Sequence, residues 1–297
     1  LTSQRLLNEC FLLIIWRMRL SLNFIVICNF LLSSSLVKSQ VQHKEITFKK
    51  VEGTDLKLHI FGPKGEKENQ NKAAIIFFFG GGWVGGTPEQ FYPHCEHLSK
   101  KGMLAISAEY RTEKSHGTTP FQCVEDGKSA IRWIRKNSKK LGVDPNKIVA
   151  AGGSAGGHVA ACTGIIKGFE TGDLNISSRP QALVLFNPVC DTSLNGYGNK
   201  KVGKKWRSIS PLHHAINSTT PTCIFHGTAD TTVPLKNVLE FQKAIQEQKI
   251  KCELHTYEGA KHGFFNHGRG DGKAYEDTVK KMTLFLVEQG FLKTKQR

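Results

Sequence analysis

Gly152-Gly153-Ser154-Ala155-Gly156 places a serine between small residues in a G-x-S-x-G pentapeptide. The apolar run Lys147 to Ala151 precedes it and a helix-forming stretch, Gly157 to Lys167, follows. A serine on such a strand-to-helix turn is held in a strained backbone with its hydroxyl exposed, the setting of an attacking nucleophile. The start of the following helix brings a partial positive charge close to any negative charge that develops there. A phosphate loop of the Walker type would need Gly-Lys-Ser/Thr, which is missing here.

Acyl transfer at Ser154 needs N–H donors for the tetrahedral oxyanion, each worth about 2.7–4 kcal/mol. Gly80-Gly81-Gly82-Trp83 follows the strongest apolar run, Ala73 to Phe79, and supplies backbone able to approach a reacting carbon. The expected oxyanion hole is therefore the N–H groups of Gly81, Gly82 and Ala155, with Trp83 as a wall of the substrate pocket. A general base is expected at His262, in Gly259-Ala260-Lys261-His262-Gly263-Phe264, on the loop after the last strand-like run. Twelve histidines occur, and His226, His267, His255, His213 and His214 compete with it. Asp230, in His226 to Pro234, would orient the imidazole, with Asp191 and Glu258 as rivals. The order Ser154, Asp230, His262 is one of the chain orders in which such triads occur.

These residues need elements that carry them to one place. Ile46 to Phe48 and Leu56 to Ile60 read as a leading hairpin across Gly53-Thr54-Asp55. Ala73 to Phe79, Met103 to Ala108, Ile148 to Ala151, Ala182 to Phe186, Thr222 to Phe225 and Glu253 to Tyr257 read as further strands. Helical spacing of apolar residues lies between them, at Val124, Ile131 and Ile134, at Leu235 to Ile245 and at Tyr275 to Leu286. The alternation predicts an α/β fold, a mostly parallel sheet of about eight strands covered by helices on both faces. Asp144-Pro145-Asn146 reads as a turn before a strand, and Gly290 as the stop of the last helix. Asn187 to Thr220 breaks the rhythm and is expected to run over the surface.

The first 39 residues do not fit that core. Met18-Arg19, the apolar run Phe24 to Leu32 and the Ser-rich exit to Val37-Lys38-Ser39 carry the pattern of a signal peptide, too short for a confident membrane span. The expected organisation is residues 1–39 as upstream segment and signal peptide and 40–297 as one domain, giving a secreted or periplasmic protein without a stable membrane span after cleavage. Net charge is +16, and Arg5, Arg17, Arg19 and Lys38 against Glu9 leave +13 for the remainder. The lysines are scattered apart from Lys200 to Arg207, so no nucleic-acid reader is expected. The six cysteines beyond residue 39 contain no C-x-x-C pair, which disfavours a thiolate metal site and leaves disulfide pairing open.

With these motifs in place, the chain resembles the esterase/lipase branch of the α/β hydrolases that holds hormone-sensitive-lipase-like enzymes and bacterial acetyl and feruloyl esterases. The resemblance spans about residues 44–290. It rests on Phe79 to Trp83, Glu109-Tyr110-Arg111, Asp144-Pro145-Asn146, Gly152 to Gly157, His226 to Asp230 and Gly259 to Phe264. It implies the α/β-hydrolase fold and a serine carboxylic ester hydrolase working through an acyl-enzyme, with no cofactor and no metal. The short segment ahead of the first strands implies an open site for short acyl groups, such as acetyl or feruloyl esters on polysaccharide or small-molecule alcohols. The family's usual histidine before the three glycines is Phe79 here, so support of that loop must differ. Two other functions are compatible with the motifs: a serine peptidase of the prolyl-peptidase type, and a non-catalytic binding protein on the same scaffold. Arg269-Gly270-Asp271 is read as a chance match to an adhesion tripeptide.

Overall fold

The computed structural model describes residues 43–51, 53–62 and 71–293. The expected signal peptide lies outside these residues, as does most of the polar stretch after Pro63. Eight strands form one sheet: β1 (Lys44–Val51), β2 (Thr54–Phe61), β3 (Lys72–Phe78), β4 (Leu104–Ala108), β5 (Val143–Gly153), β6 (Ala182–Phe186), β7 (Thr222–Gly227) and β8 (Cys252–Tyr257). Their order is β1-β2-β4-β3-β5-β6-β7-β8. The β1–β2 and β2–β4 pairs are antiparallel, and every later pair is parallel.

The central strands β3, β4 and β6 are apolar on both sides, as strands covered on two faces must be. Five helices of eight residues or more cover them: α1 (Tyr92–Ser99), α2 (Pro120–Lys136), α3 (Ala155–Ile165), α4 (Leu235–Gln246) and α5 (Lys273–Glu288). α1 and α5 meet on one face through His97 Nε2 and Thr283 Oγ1 and through the His94–Tyr275 ring contact. α2 and α3 pack together on the other. α2 shows how local sequence sets a boundary: Pro120 occupies its first turn, and Thr119 and Gln122 form a capping box. Asp126 on its inner side takes Arg111 and Lys49, so a buried carboxylate ties β1 and the β4 exit to this helix.

The eight-strand, mostly parallel α/β architecture agrees with the sequence expectation. Two segments differ from it. Asp144-Pro145-Asn146 does not precede β5 but lies within it, as a bulge between the Lys72–Val143 and Ala74–Ile148 pairings. Its turn chemistry is still used, since Asp144 accepts the Asn146 N–H. The segment after Asn187 is not a surface excursion at its start: Asn187 to Ser193 are buried, and exposure begins at Leu194. The Asn187 N–H donates to Phe225 O and the Leu212 N–H to Cys190 O, which draw this stretch back onto the sheet.

Candidate active site

Every residue brought to the site leaves the carboxyl end of a parallel strand, where open α/β sheets bind ligands. β3 delivers Gly80 to Gly82, β5 delivers Ser154, β6 delivers Asn187, β7 delivers Asp230 and β8 delivers His262. β3, β5, β6, β7 and β8 are consecutive in the sheet, so residues far apart in sequence arrive along one edge.

Ser154 has φ 53° and ψ −119°, an uncommon backbone for a residue with a Cβ. Its N–H donates to Phe186 O, and its carbonyl accepts the His158 and Val189 N–H groups, so the turn is fixed on both sides. The small neighbours are required: a Cβ on Gly156 would enter the carbonyl oxygens of Phe78 and Phe79. The Ser154 Oγ–H donates to His262 Nε2 at 2.9 Å, and the His262 Nδ1–H donates to Asp230 Oδ2 at 2.7 Å. Because an ionised carboxylate only accepts, this contact fixes the tautomer and leaves the Nε2 lone pair for the serine proton. Burial of Asp230 opposes its ionisation, but His262 and the Val233 and Thr232 N–H groups outweigh it and hold the carboxyl below its ordinary range.

The competing residues are engaged elsewhere. Asp191 accepts from Ser193, Ser210 and Asn237. His226 Nε2 donates to Val233 O, His213 meets Ser210, and His255 stacks on Phe225.

Beside Ser154 lies a cleft of about 560 Å³ lined by Gly80, Gly81, Gly82, Tyr197, His262 and Phe265, among others. The Gly81 and Gly82 N–H groups have no acceptor among the described residues, while the Gly81 carbonyl takes the Val84 and Gly85 N–H groups and closes the turn. Ala155, the first residue of α3, has no intrahelical acceptor for its N–H. Gly81 and Gly82 line the cleft together with Ser154, and Ala155 follows the serine at the start of α3.

Trp83 requires a correction. It does not line the cleft; its side chain is 1 % exposed and packs edge-on against His158 at 5.1 Å. Its positive φ of 62° turns the indole inward, and the ring lies 5.6 Å from that of Tyr197, which takes the place at the wall.

Three further residues were not anticipated from sequence. Gln90 Oε1 accepts the Gly80 N–H at 2.6 Å, and Gln90 Nε2 donates to Asn266 Oδ1 at 2.8 Å. Asn266 Nδ2 donates to Gly263 O at 2.8 Å, and the Gly263 N–H donates to Asn187 Oδ1 at 3.0 Å. A continuous chain of hydrogen bonds thus joins the glycine loop to the residue after His262. Phe79, in the place of the family histidine, stacks on Tyr110 at 4.2 Å, and the Tyr110 O–H donates to Phe79 O at 2.7 Å.

The chain is similar to several known proteins in sequence and in fold. A family model described as BD-FAE matches residues 58–195, and one described as the dienelactone hydrolase family matches residues 182–289. An acetylxylan esterase of Xylanibacter ruminicola is 27% identical over 232 residues, 71% of this chain and 44% of the relative. Esterase LipC of Mycobacterium tuberculosis is 26% identical over 245 residues, 71% of this chain and 57% of the relative. The chain thus spans about half the length of these curated relatives. Esterase 2 of Thermogutta terrifontis, phosphoramylated by tabun, superposes with a TM-score of 0.82 at 47% identity, covering 85% of this chain and 97% of that one. The same esterase with propionate bound gives 0.82 at 45% identity, over 87% of this chain and 99% of that one.

Proposed function

The chain belongs to the esterase/lipase family of α/β hydrolases, and from that premise we propose that it is a serine carboxylic ester hydrolase acting on short acyl groups through an acyl-enzyme on Ser154. The observation that carries this reading is the unbroken Ser154–His262–Asp230 hydrogen-bond relay opening into a cleft lined by free N–H donors.

In the first half-reaction the Ser154 Oγ–H proton passes to His262 Nε2 as Oγ bonds to the ester carbonyl carbon. The carbonyl oxygen takes the negative charge and meets the Gly81, Gly82 and Ala155 N–H groups. The imidazolium, held by Asp230, then protonates the departing alcohol oxygen as its bond to carbon breaks. Water repeats the sequence in the second half-reaction: it loses a proton to His262, adds to the acyl carbon, and Ser154 leaves with the proton returned.

Tyr197, Phe265 and the glycine loop line the cleft with Ser154 and are the residues that would bound the acyl group. The relative with propionate bound and the acetylxylan esterase support the same acyl class, with acetyl or feruloyl groups on polysaccharide as the natural form. Export rests on the Met18 to Ser39 pattern. Among the described residues no helix is long and apolar enough to cross a membrane. Mass spectrometry of the mature N-terminus checks cleavage of the signal peptide, and an intact Met18 in exported protein would refute that cleavage.

p-Nitrophenyl esters of increasing chain length, acetylated xylan and feruloyl esters test the activity. Turnover should be highest on acetyl to butyryl esters and lost in Ser154→Ala, and paraoxon should add one phosphoryl group to wild type but none to that variant. Absence of ester turnover, equal rates in Ser154→Ala, or faster cleavage of peptides than of esters would overturn it.

A further inference from the structure

At the hairpin edge of the sheet, three side chains aim their donor atoms at one another. His43 stands immediately before β1, Glu45 lies two residues on, and Glu45 pairs directly with His59 of β2. Residues two apart on a strand, and directly opposite residues on its neighbour, share a face of the sheet, so register alone places the three together. His43 Nε2 is 3.2 Å from His59 Nδ1 and 3.5 Å from Glu45 Oε1, and His59 Nδ1 is 3.7 Å from Glu45 Oε1.

From these atoms we infer a binding site for a divalent transition cation, zinc foremost, held by His43 Nε2, Glu45 Oε1 and His59 Nδ1. A tetrahedral zinc ion with bonds of about 2.0–2.1 Å has ligand atoms about 3.3–3.4 Å apart. The three observed edges bracket that spacing, and a triangle with those edges has a circumradius of about 2.0 Å, so an ion about 0.6 Å out of its plane would lie about 2.1 Å from all three atoms. The Tyr92 hydroxyl, 2.7 Å from His59 Nδ1 and 3.4 Å from His43 Nε2, stands at the same point from the start of α1, a contact that an incoming cation would displace, with water completing the four-coordinate shell.

The outer contacts set the ligands as a metal site requires. His59 Nε2 lies 3.3 Å from Glu109 Oε1, so it donates its proton to that carboxylate and leaves Nδ1 as the acceptor nitrogen, which takes the Tyr92 O–H when no cation is bound. Glu109 is itself fixed, because its Oε2 accepts the Lys57 N–H at 2.8 Å. A carboxylate behind the distal nitrogen is the usual companion of a metal-binding imidazole. Lys57 Nζ holds Glu45 Oε2 at 2.8 Å, which leaves Oε1 turned toward the imidazoles. His59 is 5 % exposed and Glu45 remains accessible, so the site has both a rigid wall and an entry. The expectation of no metal rested on the lack of clustered thiolates and on the family resemblance; the present site departs from it with nitrogen and oxygen ligands, a set suited to zinc, copper or nickel.

The test uses the full chain dialysed against chelator and titrated with zinc chloride by calorimetry, with bound metal counted by elemental analysis and cobalt as a spectroscopic substitute. Wild type should bind one zinc per chain and gain thermal stability on binding, and cobalt should show the visible bands of a four-coordinate ion. Glu45→Gln, His43→Ala and His59→Ala should lose this binding. Glu109→Gln should keep the stoichiometry but weaken the affinity by about 10–100-fold. The conservative Glu45→Gln keeps the test decisive should His59→Ala fail to fold. The inference is overturned if wild type takes up no stoichiometric zinc, or if zinc binds equally to the Glu45 and His43 variants. It is also overturned if binding is lost instead in Cys223→Ser, which alters the second cluster of Cys223, Glu253 and His255.

Discussion

Replacing Gln90 with leucine should lower kcat without a matching rise in KM. Gln90 reaches from the short turn before α1, Pro88–Phe91, to the glycine loop, where Oε1 accepts the Gly80 N–H, and to Asn266, which holds the loop of His262. Leucine fills much of the same volume but offers neither acceptor nor donor. The Gly80 N–H is buried, and leaving such a group unsatisfied costs about 1–3 kcal/mol. Part of that cost is relieved if the loop shifts, and a shift misplaces the Gly81 and Gly82 donors. Full loss of one oxyanion donor costs about 2.7–4 kcal/mol, so a displaced but surviving pair should cost about 1.4–2.7 kcal/mol, or 10–100-fold in kcat. Since the oxyanion forms only in the transition state, ground-state binding should be nearly unchanged. Steady-state kinetics on p-nitrophenyl acetate and butyrate measure both constants. Asn266→Ala keeps the Gly80 contact and should lose less, and the double variant should lose less than the sum of the two. A Gln90→Leu enzyme within about twofold of wild type in kcat, or altered only in KM, would refute the argument.

Gly156→Ala should be among the most damaging single-methyl additions: its Cβ meets two backbone carbonyls that cannot retreat, and a loss above about 3 kcal/mol is expected in urea unfolding. Asp126→Ala removes the buried carboxylate between Arg111 and Lys49 and should cost about 3–5 kcal/mol, read in the same assay. Stability should also fall in mild acid. Burial pushes His94 down to about 3 and His158 down to about 4, whereas both titrate near 6.5 in the unfolded chain. The unfolded chain therefore binds protons first as pH falls below about 6.5, and the stability held above that pH is lost progressively toward the folded values. The two groups together remove up to roughly 4 kcal/mol between pH 7 and 5. Neither ring nitrogen of His94 has a hydrogen-bond partner among the described residues, so His94→Phe should remove about half of the contribution these two histidines make to the pH dependence. An unchanged difference between urea midpoints at pH 7 and pH 5 in that variant would sink this account.

Much of the architecture was legible because each strand carries its own apolar run and each proposed catalytic residue is tethered to a strand end. Ser154 needs only its pentapeptide and the strand before it. Asp230 and His262 need only their places after β7 and β8. The supporting residues act across distance and carry no such mark. Gln90 meets Asn266 across 176 positions, and nothing local to either predicts the pairing. Asn187 looked like the start of a surface loop because polar Gly-, Ser- and Lys-rich sequence follows it, yet its side chain holds the Gly263 N–H. Trp83 failed for a related reason: sequence places it beside the glycines, but only backbone conformation says which way an indole turns. His43, Glu45 and His59 required the register of the leading hairpin, which alternation alone does not fix.

Phe79 shows how such a difference is absorbed. Its ring stacks on Tyr110, whose hydroxyl donates to the Phe79 carbonyl, so the strand exit is clamped by an aromatic pair and one hydrogen bond. A Cβ on Gly86 would meet the Phe79 ring and the Gly80 carbonyl, so the turn from Gly80 to Gly86 is folded tightly against that ring. The apolar side chain supplies packing but cannot hydrogen-bond, and the polar duty falls to Gln90, which reaches Gly80 from outside the loop. Loop placement is then shared between a rigid apolar contact and a polar chain that continues to the loop of His262. The proposed oxyanion donors and proposed base are held by one network, so a disturbance at either end should be felt at the other. That coupling explains why Gln90 and Asn266, which the sequence does not mark, should move kcat in a correlated way.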